Sequence, residues 1–390
     1  MNAVALRSAA FTLAVAASVL TAHAQEPIFD PTVLHETRLT LDPNDWRALQ
    51  ENFRENQYYS CDIAIDGETI RQVGIRSRGD GSRNEAKPGL KVDFNKYSAS
   101  QEFHGYKTLV LDNLVQDRSM LRDRLASEVF EAMGIPASQN SFTRLYVNGD
   151  YWGVYALVEP VSKPFLERRL GEDGGNLFDY QWAFAYDFSY RGSDAAQYVP
   201  SPFEPQTHED DLDATGLVRF IRAINETPDE SFAAEMERYL DLEVFLTYVA
   251  VENAIAENDG QTGYDGINNF YLYQYADQSR FVFIPWDKDN SFLQTSWPVF
   301  QNVDRHVLVR RLLADPRYEA TYTDAVVRAA DEFVNSTWLI PRLEAAYEQI
   351  RASAIEDAKK PFTNEELEIG VDDLRAVIEG RRQDIRNQVR

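Results

Sequence analysis

A single cysteine, Cys61, in 390 residues leaves no partner for an internal disulfide and no second thiolate for a multi-cysteine zinc site. Histidine is scarce too: five in all, and His35, His104, His208 and His306 are too far apart for metal-ligand spacing. The chain has no Gly-x-x-x-x-Gly-Lys-Ser/Thr loop, no Gly-x-Ser-x-Gly elbow, no His-Glu-x-x-His pair and no Gly-x-Gly-x-x-Gly. A zinc hydrolase, a serine esterase and a standard dinucleotide fold are therefore excluded as readings. Basic charge is also short, with 39 Lys and Arg against 63 Asp and Glu and a net charge of −24. So negative a surface repels phosphate backbones and anionic lipids, which argues against nucleic-acid and membrane-surface partners. Long apolar runs are missing as well. The longest, Ala9 to Leu20, falls short of the ~20 residues a spanning helix needs.

What is present supports a folded, exported protein. Hydrophobic residues at 44% and aromatics at 12% suffice for a core, and the length allows two domains or one with an appendage. Arg7, the apolar run and Ala22-His23-Ala24 have the order of a secretory signal peptide, so Met1–Ala24 is expected to be removed. Removing it takes away only Arg7 among the charges and leaves a net charge of −25.

The mature chain reads as α+β. Residues 25–58 form a lead-in whose Asp42-Pro43 opens a helix with Trp46, Leu49 and Phe53 on one face. Alternation then marks strands at 59–65, 69–78, 90–94 and 108–111, with a turn at Asp66-Gly67. Ser119–Met133 is a helix, and Phe142–Val158 a hairpin turning at Asn148-Gly149. Residues 183–213 lack sustained periodicity and are expected as a surface insertion. Helices at 214–225 and 242–256 precede a strand pair at 268–274 and 280–286, and helices continue from 303 to 390. The expected domains are 59–302, with a smaller lobe to about 158, and a helical region 303–390.

Three clusters carry chemistry. Gly74-Ile75-Arg76-Ser77-Arg78-Gly79-Asp80-Gly81-Ser82, with Lys87 and Lys91, combines anion-gripping arginines with glycines that let backbone N–H groups approach. The same residues would also make a solvated hairpin turn. Phe283-Ile284-Pro285-Trp286-Asp287-Lys288-Asp289 ends an apolar strand in two carboxylates, the donor type magnesium uses beside phosphates. Phe292 and Pro298 stand where a calcium EF-hand needs glycine and glutamate, so that reading fails. Glu257-Asn258-Asp259-Gly260 and Asp265-Gly266-Ile267-Asn268-Asn269 place carboxylates and amides just before a strand, a pattern of phosphotransferases.

Gly74-Ile75-Arg76-x-Arg78-Gly79, Leu90-Lys91-Val92-Asp93-Phe94, Phe103-His104-Gly105 and Leu121-Arg122-x-x-Leu125-Ala126 resemble blocks of the CotH-type family of spore-coat kinases. Val147-Asn148-Gly149-x-Tyr151-x-Gly153-x-Tyr155, Asn268-Asn269-Phe270-Tyr271-Leu272-Tyr273 and the Trp286-Asp287-x-Asp289 block continue the resemblance in family order over residues 60–292. It implies an atypical, two-lobed protein-kinase-like fold with a C-terminal helical extension. The implied activity moves phosphate from ATP, with Mg2+ or Mn2+, to Ser/Thr hydroxyls of an unidentified protein substrate. The implied roles put Arg76, Arg78 and Gly79 in a lid on the nucleotide phosphates and Lys91 in contact with them. Glu128 would pair with Lys91, Glu159 would lie by the adenine, and Asn269, Asp287 and Asp289 would surround the metal. Asp259 or Asp265 would be the catalytic aspartate, with Asp259 favoured. Two other readings keep the fold: a secreted surface-binding protein using the aromatics of 178–190, and an enzyme transferring a nucleotidyl group.

Overall fold

The computed structural model describes residues 27–390 other than 184, 185, 265, 277 and 278. The segment read as a signal peptide and the candidate Asp265 lie outside the described residues.

Seven strands close a barrel: β1 (Leu34–Thr40), β2 (Tyr59–Ile65), β3 (Glu68–Ser77), β4 (Leu90–Asp93), β5 (Thr108–Asp112), β6 (Asn140–Val147) and β7 (Asp150–Val158). Their order is β1-β2-β3-β4-β5-β7-β6, and the parallel pairing of β1 with β6 completes the ring. The lead-in expected as helical thus supplies a strand as well as helix α1 (Pro43–Glu51), which Asp42 caps by accepting from the Asn44 amide. The inward positions of β1 are His35, Thr37 and Leu39. Two of the three are polar, which hides the alternation. Each has a cross-strand or turn partner: His35 Nδ1 lies 2.6 Å from Asp66, and Thr37 Oγ1 lies 2.9 Å from Thr143 Oγ1.

The two-residue side-chain period sorts the other strands. Ile75, Leu90, Val92, Leu109, Leu111 and Leu157 fill the barrel. Their neighbours face outward, and the register pairs Arg76 with Lys91, Lys91 with Val110, and Asp112 with Ala156. This outer face is one wall of a cleft. Helix α2 (Arg122–Ala132) packs beside it through Leu125, Val129 and Phe130.

The second lobe is built on a sheet of β8 (Asn176–Tyr180), β9 (Phe203–Pro205), β10 (Phe270–Gln274) and β11 (Phe281–Pro285), in the order β11-β10-β8-β9. Helices α3 (Lys163–Leu170), α4 (Thr215–Glu226), α5 (Phe232–Met236) and α6 (Leu242–Ala254) surround it. All of α6 except Glu243 and Val244 is buried, so it is the central helix of this lobe. The chain ends in α7 (Val307–Leu313), α8 (Pro316–Arg328), α9 (Leu339–Glu356) and α10 (Asn364–Gln388). The stretch 183–213, expected as a surface insertion, is so only in part: Arg191, Asp194, Gln197 and 208–211 are exposed, but several of its aromatic rings turn inward. Tyr186, Phe188, Tyr198 and Phe203 are buried in the main core, where Phe188 meets Phe203 at 5.7 Å and Phe283 at 5.9 Å. Irregular backbone delivers Tyr186 and Phe188, and β9 is only three residues long, so no period announces these rings. No described helix is long and apolar enough to cross a membrane.

On β7, Gly153 has φ +113°, and a Cβ there would overlap the Asp357 carboxylate that follows α9. Gly153→Ala is therefore expected to cost about 1–3 kcal/mol, as overpacked interiors do, and to lower Tm in thermal denaturation.

Candidate active site

The pairing of Phe270 with Pro285 sets the chain entering β10 beside the chain leaving β11. The Trp286 amide donates to the Asn269 carbonyl at 3.2 Å, which joins the loop before β10 to the Asp287-Lys288-Asp289 loop. Asp259 is brought to the same place. Its carboxylate accepts from Asn268 Nδ2 at 3.0 and 3.1 Å and from Asn269 Nδ2 at 2.9 Å. With its amide nitrogen so engaged, Asn269 keeps its side-chain oxygen as an acceptor. Asn269 (φ +55°) and Asp287 (φ +52°) both hold left-handed backbone, a conformation uncommon outside Gly that Asn and Asp tolerate best and that clusters at functional sites.

Asp287 and Asp289 line a partly open cleft with Asp112 at the end of β5 and Asp123 in the first turn of α2. Burial and the nearby Asp112 push the Asp287 carboxyl up to about 7. Burial, with Asp287 next in weight, pushes Asp289 well above the usual range. Asp123 rises to about 6 through burial, although it accepts from the Lys288 amide at 2.8 Å and Asn140 Nδ2 at 2.7 Å. Asp117 lines the same space but is used up as a cap. It accepts from Ser119, Leu121 and Arg122 amides at 2.7–2.9 Å.

The facing wall is cationic. Arg78 lies 3.4 Å from Asp112 and 5.7 Å from the Trp286 ring centroid. Lys91 is held below the usual amine range, first by burial and then by Arg76 and Arg78. Arg76 itself donates to Asn56 at 2.9 Å and to the Ser77 carbonyl at 2.8 Å. Gly79 (φ +101°) follows Arg78, and its carbonyl accepts from Arg83 Nε at 2.7 Å.

One expected pairing is not made. Glu128 faces Arg124 and Arg342, each at 3.3 Å, and no ion pair joins it to Lys91 among the described residues. Its place on α2 turns it away from the barrel's cationic face. Glu159 follows β7, on the connection to α3, and is fully buried; its carboxylate accepts from Tyr106 at 2.8 Å, from the Gln139 amide at 3.1 Å and from Arg168. Those three donors occupy it. Lys87, grouped in sequence with the basic cluster, points away into the protein and meets Asp357 at 2.7 Å.

Asp179, Glu252 and Asp112 escaped sequence reading, and Lys288 and Glu257 were given no role by it. Asp179 on β8 pairs in register with Tyr271 and faces Arg78 and Lys91, and burial pushes it up to about 7. Behind the loops, Lys288 Nζ meets Glu252 at 2.8 Å, and Glu252 accepts from the Gln261 amide at 2.7 Å. Glu257 accepts from the Asp259 amide at 2.7 Å and from Ser291 Oγ at 2.6 Å. Gly260 is required here, since a Cβ would come within 2.5 Å of the Glu252 carboxylate. For Asp112 a signal existed: like Asp287, it ends an apolar strand with a carboxylate.

His306 supports the same loop from below. Its Nε2 lies 3.1 Å from Gln261 Oε1, its ring stacks on Phe188 at 5.6 Å, and burial pushes its imidazole down to about 3. Below the ordinary value of 6.5 the unfolded chain takes up a proton that the native site refuses until about pH 3. Stability is thus expected to fall with pH across that window, by up to about 1.4 kcal/mol per pH unit from this group. Urea unfolding at pH 7, 6 and 5 checks it: His306→Gln should flatten the slope, and an unchanged slope would count against this assignment.

The sequence pattern of the CotH family, described as CotH kinase protein, matches residues 75–385. The chain belongs to that family. Membership makes it an atypical protein kinase, and it extends the family region through α9 and into α10, beyond the residues 60–292 that carried the resemblance. The chain is 21% identical to Inner spore coat protein H of Bacillus subtilis over 364 residues, covering 90% of this chain and 96% of that protein. It is 23% identical to Spore coat protein homolog 1 of Rhizopus delemar, covering 83% of this chain and 54% of that protein. Against Invasin CotH2 of the same fungus the identity is 27%, over 56% of this chain and 37% of the relative. The chain thus spans about half or less of these two fungal relatives. Among solved structures, the Helicobacter pylori proinflammatory kinase CtkA matches with a TM-score of 0.32 and 9% identity, over 77% of this chain and 92% of that one.

Proposed function

We propose that this protein transfers the γ-phosphate of ATP to Ser or Thr hydroxyls of a protein substrate, with magnesium and after export through its N-terminal segment. The observation that carries the reading is the union of two acidic loops by the Trp286–Asn269 and Asn269–Asp259 hydrogen bonds, opposite a face bearing Arg78 and Lys91. In this reading Arg78, Lys91 and the Gly79 backbone bind phosphate oxygens, and Arg76 adds positive potential. Asp259 orients the acceptor hydroxyl and takes its proton.

The donors suit a hard cation. Asp287 and Asp289 are oxygen donors crowded by like charge, and Asn269 adds an amide oxygen. Among the described residues no three His, Cys, Asp or Glu side chains converge on one point, so a cation here would complete its shell with phosphate and water. Bound magnesium would neutralise charge developing on the transferred phosphoryl group; manganese would serve likewise. The protein's own share is positioning and exclusion of water.

The test uses the purified protein with magnesium and ATP labelled at either the α or the γ position. Label is expected in protein from γ alone. Label from α would replace this reading with nucleotidyl transfer, and absence of nucleotide binding would favour a surface-binding role. The aromatics that would serve that role are largely committed to the core: Phe178, Tyr180, Tyr186 and Phe188 are buried, while Trp182 is exposed and Phe184 lies outside the described residues.

A further inference from the structure

The helices after Val307 are not an appendage. α10 sends the buried Arg381 into the large lobe, where it donates to the Ala254 carbonyl at 3.0 Å and the Asn253 carbonyl at 2.8 Å. α9 reaches the other way, to the barrel. Arg144 on β6 donates to Ser353 at 2.5 Å, and Tyr151 on β7 donates to the Ser353 carbonyl at 2.8 Å. Immediately after α9 comes Asp357, and the barrel holds a receptor for it. Its Oδ2 accepts from Lys87 Nζ at 2.7 Å and from the Val154 amide at 3.1 Å, with both charged side chains fully buried. The missing side chain of Gly153 leaves the space the carboxylate fills.

Lys87 lies in the loop between β3 and β4, the loop that begins with Arg78 and Gly79. The neck of that loop is closed by the Arg78 amide donating to the Gly89 carbonyl at 2.9 Å. Asn113, next to Asp112, donates to the carbonyls of Ser82 at 3.0 Å and Lys87 at 2.8 Å. Arg83 ties the middle of the loop to the Gly79 and Phe53 carbonyls, and Lys87 pegs its returning arm into the protein, through Asp357 and the Val154 carbonyl at 2.8 Å. A buried ion pair commonly does no better for stability than apolar side chains of similar volume. Stability alone therefore leaves this pair, drawn from residues 270 apart, without a purpose.

We propose that Asp357 is a positioning residue for phosphate binding: by pinning Lys87 it sets the loop that presents Arg78 and Gly79 to the cleft. This rests on the kinase reading of that cleft. The C-terminal region is then part of the nucleotide site's framework, and the sequence-distant tail determines how the loop meets ATP.

The test compares wild type with Asp357→Asn and with the double variant K87M/D357N, which leaves no unpaired buried charge. Folding is checked by thermal denaturation, and all kinetics are taken well below Tm. In both variants KM for ATP is expected to rise about tenfold with kcat nearly kept, and hydrogen exchange in 79–86 to quicken. If Asp357→Asn does not fold, the double variant carries the test. Unchanged KM for ATP in a folded variant, beside a wild type that binds ATP, would overturn the inference alone. A wild type that binds no ATP would overturn the kinase reading and the inference with it.

Discussion

Asp287→Ala is expected to abolish phosphate transfer while making the protein more stable. Both effects follow from the same geometry. Asp287 is held with Asp112, Asp123 and Asp289 in one cleft, and burial with Asp112 pushes it up to about 7. A carboxyl whose native pKa is raised binds its proton more tightly in the folded state. Its ionisation therefore costs stability progressively as pH rises from about 4 to about 7, and the full cost applies above that. Alanine removes the repulsion, a few kcal/mol by the size of the shift, against about 1–2 kcal/mol for placing alanine in left-handed backbone at φ +52°, so at pH 8 Tm should rise by roughly 2 °C, about 1 kcal/mol net. Loss of a charge-stabilising group should lower kcat by about 10²–10³-fold or more. Magnesium with ATP should raise the wild-type Tm and leave the variant's unmoved. Thermal denaturation and labelled-ATP transfer on the two proteins check this. A variant that retains full activity, or that melts lower at pH 8, would remove Asp287 from the role given to it.

Such a residue was visible in sequence because one strand both buries and delivers it: Phe283-Ile284-Pro285 is apolar, and the carboxylates begin where the strand ends. The same rule located Lys91, flanked by Leu90 and Val92. The β10–β11 hairpin, the Asn148-Gly149 turn and the long terminal helices were legible from period and turn chemistry. What failed to show was whatever depends on a partner far along the chain. Glu128 has the residue type and helix expected of a lysine partner, but its neighbours in space are Arg124 and Arg342. Lys87 belongs by sequence to a basic cluster and by structure to Asp357. Asp179 stands in an aromatic strand with no local sign of the cations opposite it. β1 was obscured because two of its three inward residues are polar, and the core aromatics of 186–203 because irregular backbone and a three-residue strand carry them. The acidity of the chain also gained a location. Part of it is the crowd of carboxylates in the cleft, facing the few basic residues that remain exposed to it.

Asp259→Asn is expected to cut kcat by about 10²–10⁴-fold, the usual worth of a positioned general base, with KM for ATP little changed. The substitution is nearly isosteric and leaves the loop's outer supports in place. The Asp259 amide still donates to Glu257, and Lys288 still meets Glu252. What changes is the carboxylate itself, now accepting from both Asn268 and Asn269. An Asn at 259 presents one carbonyl oxygen and one amide nitrogen to two amide donors, so one hydrogen bond is lost and no strong base remains. Asn269 would then turn, and the magnesium dependence of the residual activity should weaken along with kcat. Asp265→Asn is the matched control, since sequence alone left both aspartates open. Loss confined to Asp259→Asn assigns the base to the end of the helix-derived loop that the Asn268–Asn269 amides hold. Loss confined to Asp265→Asn would move it to the turn before Asn268 and leave Asp259 as the residue that orients Asn269. Steady-state kinetics of γ-phosphate transfer on both variants, each checked for an unchanged Tm, separates the two.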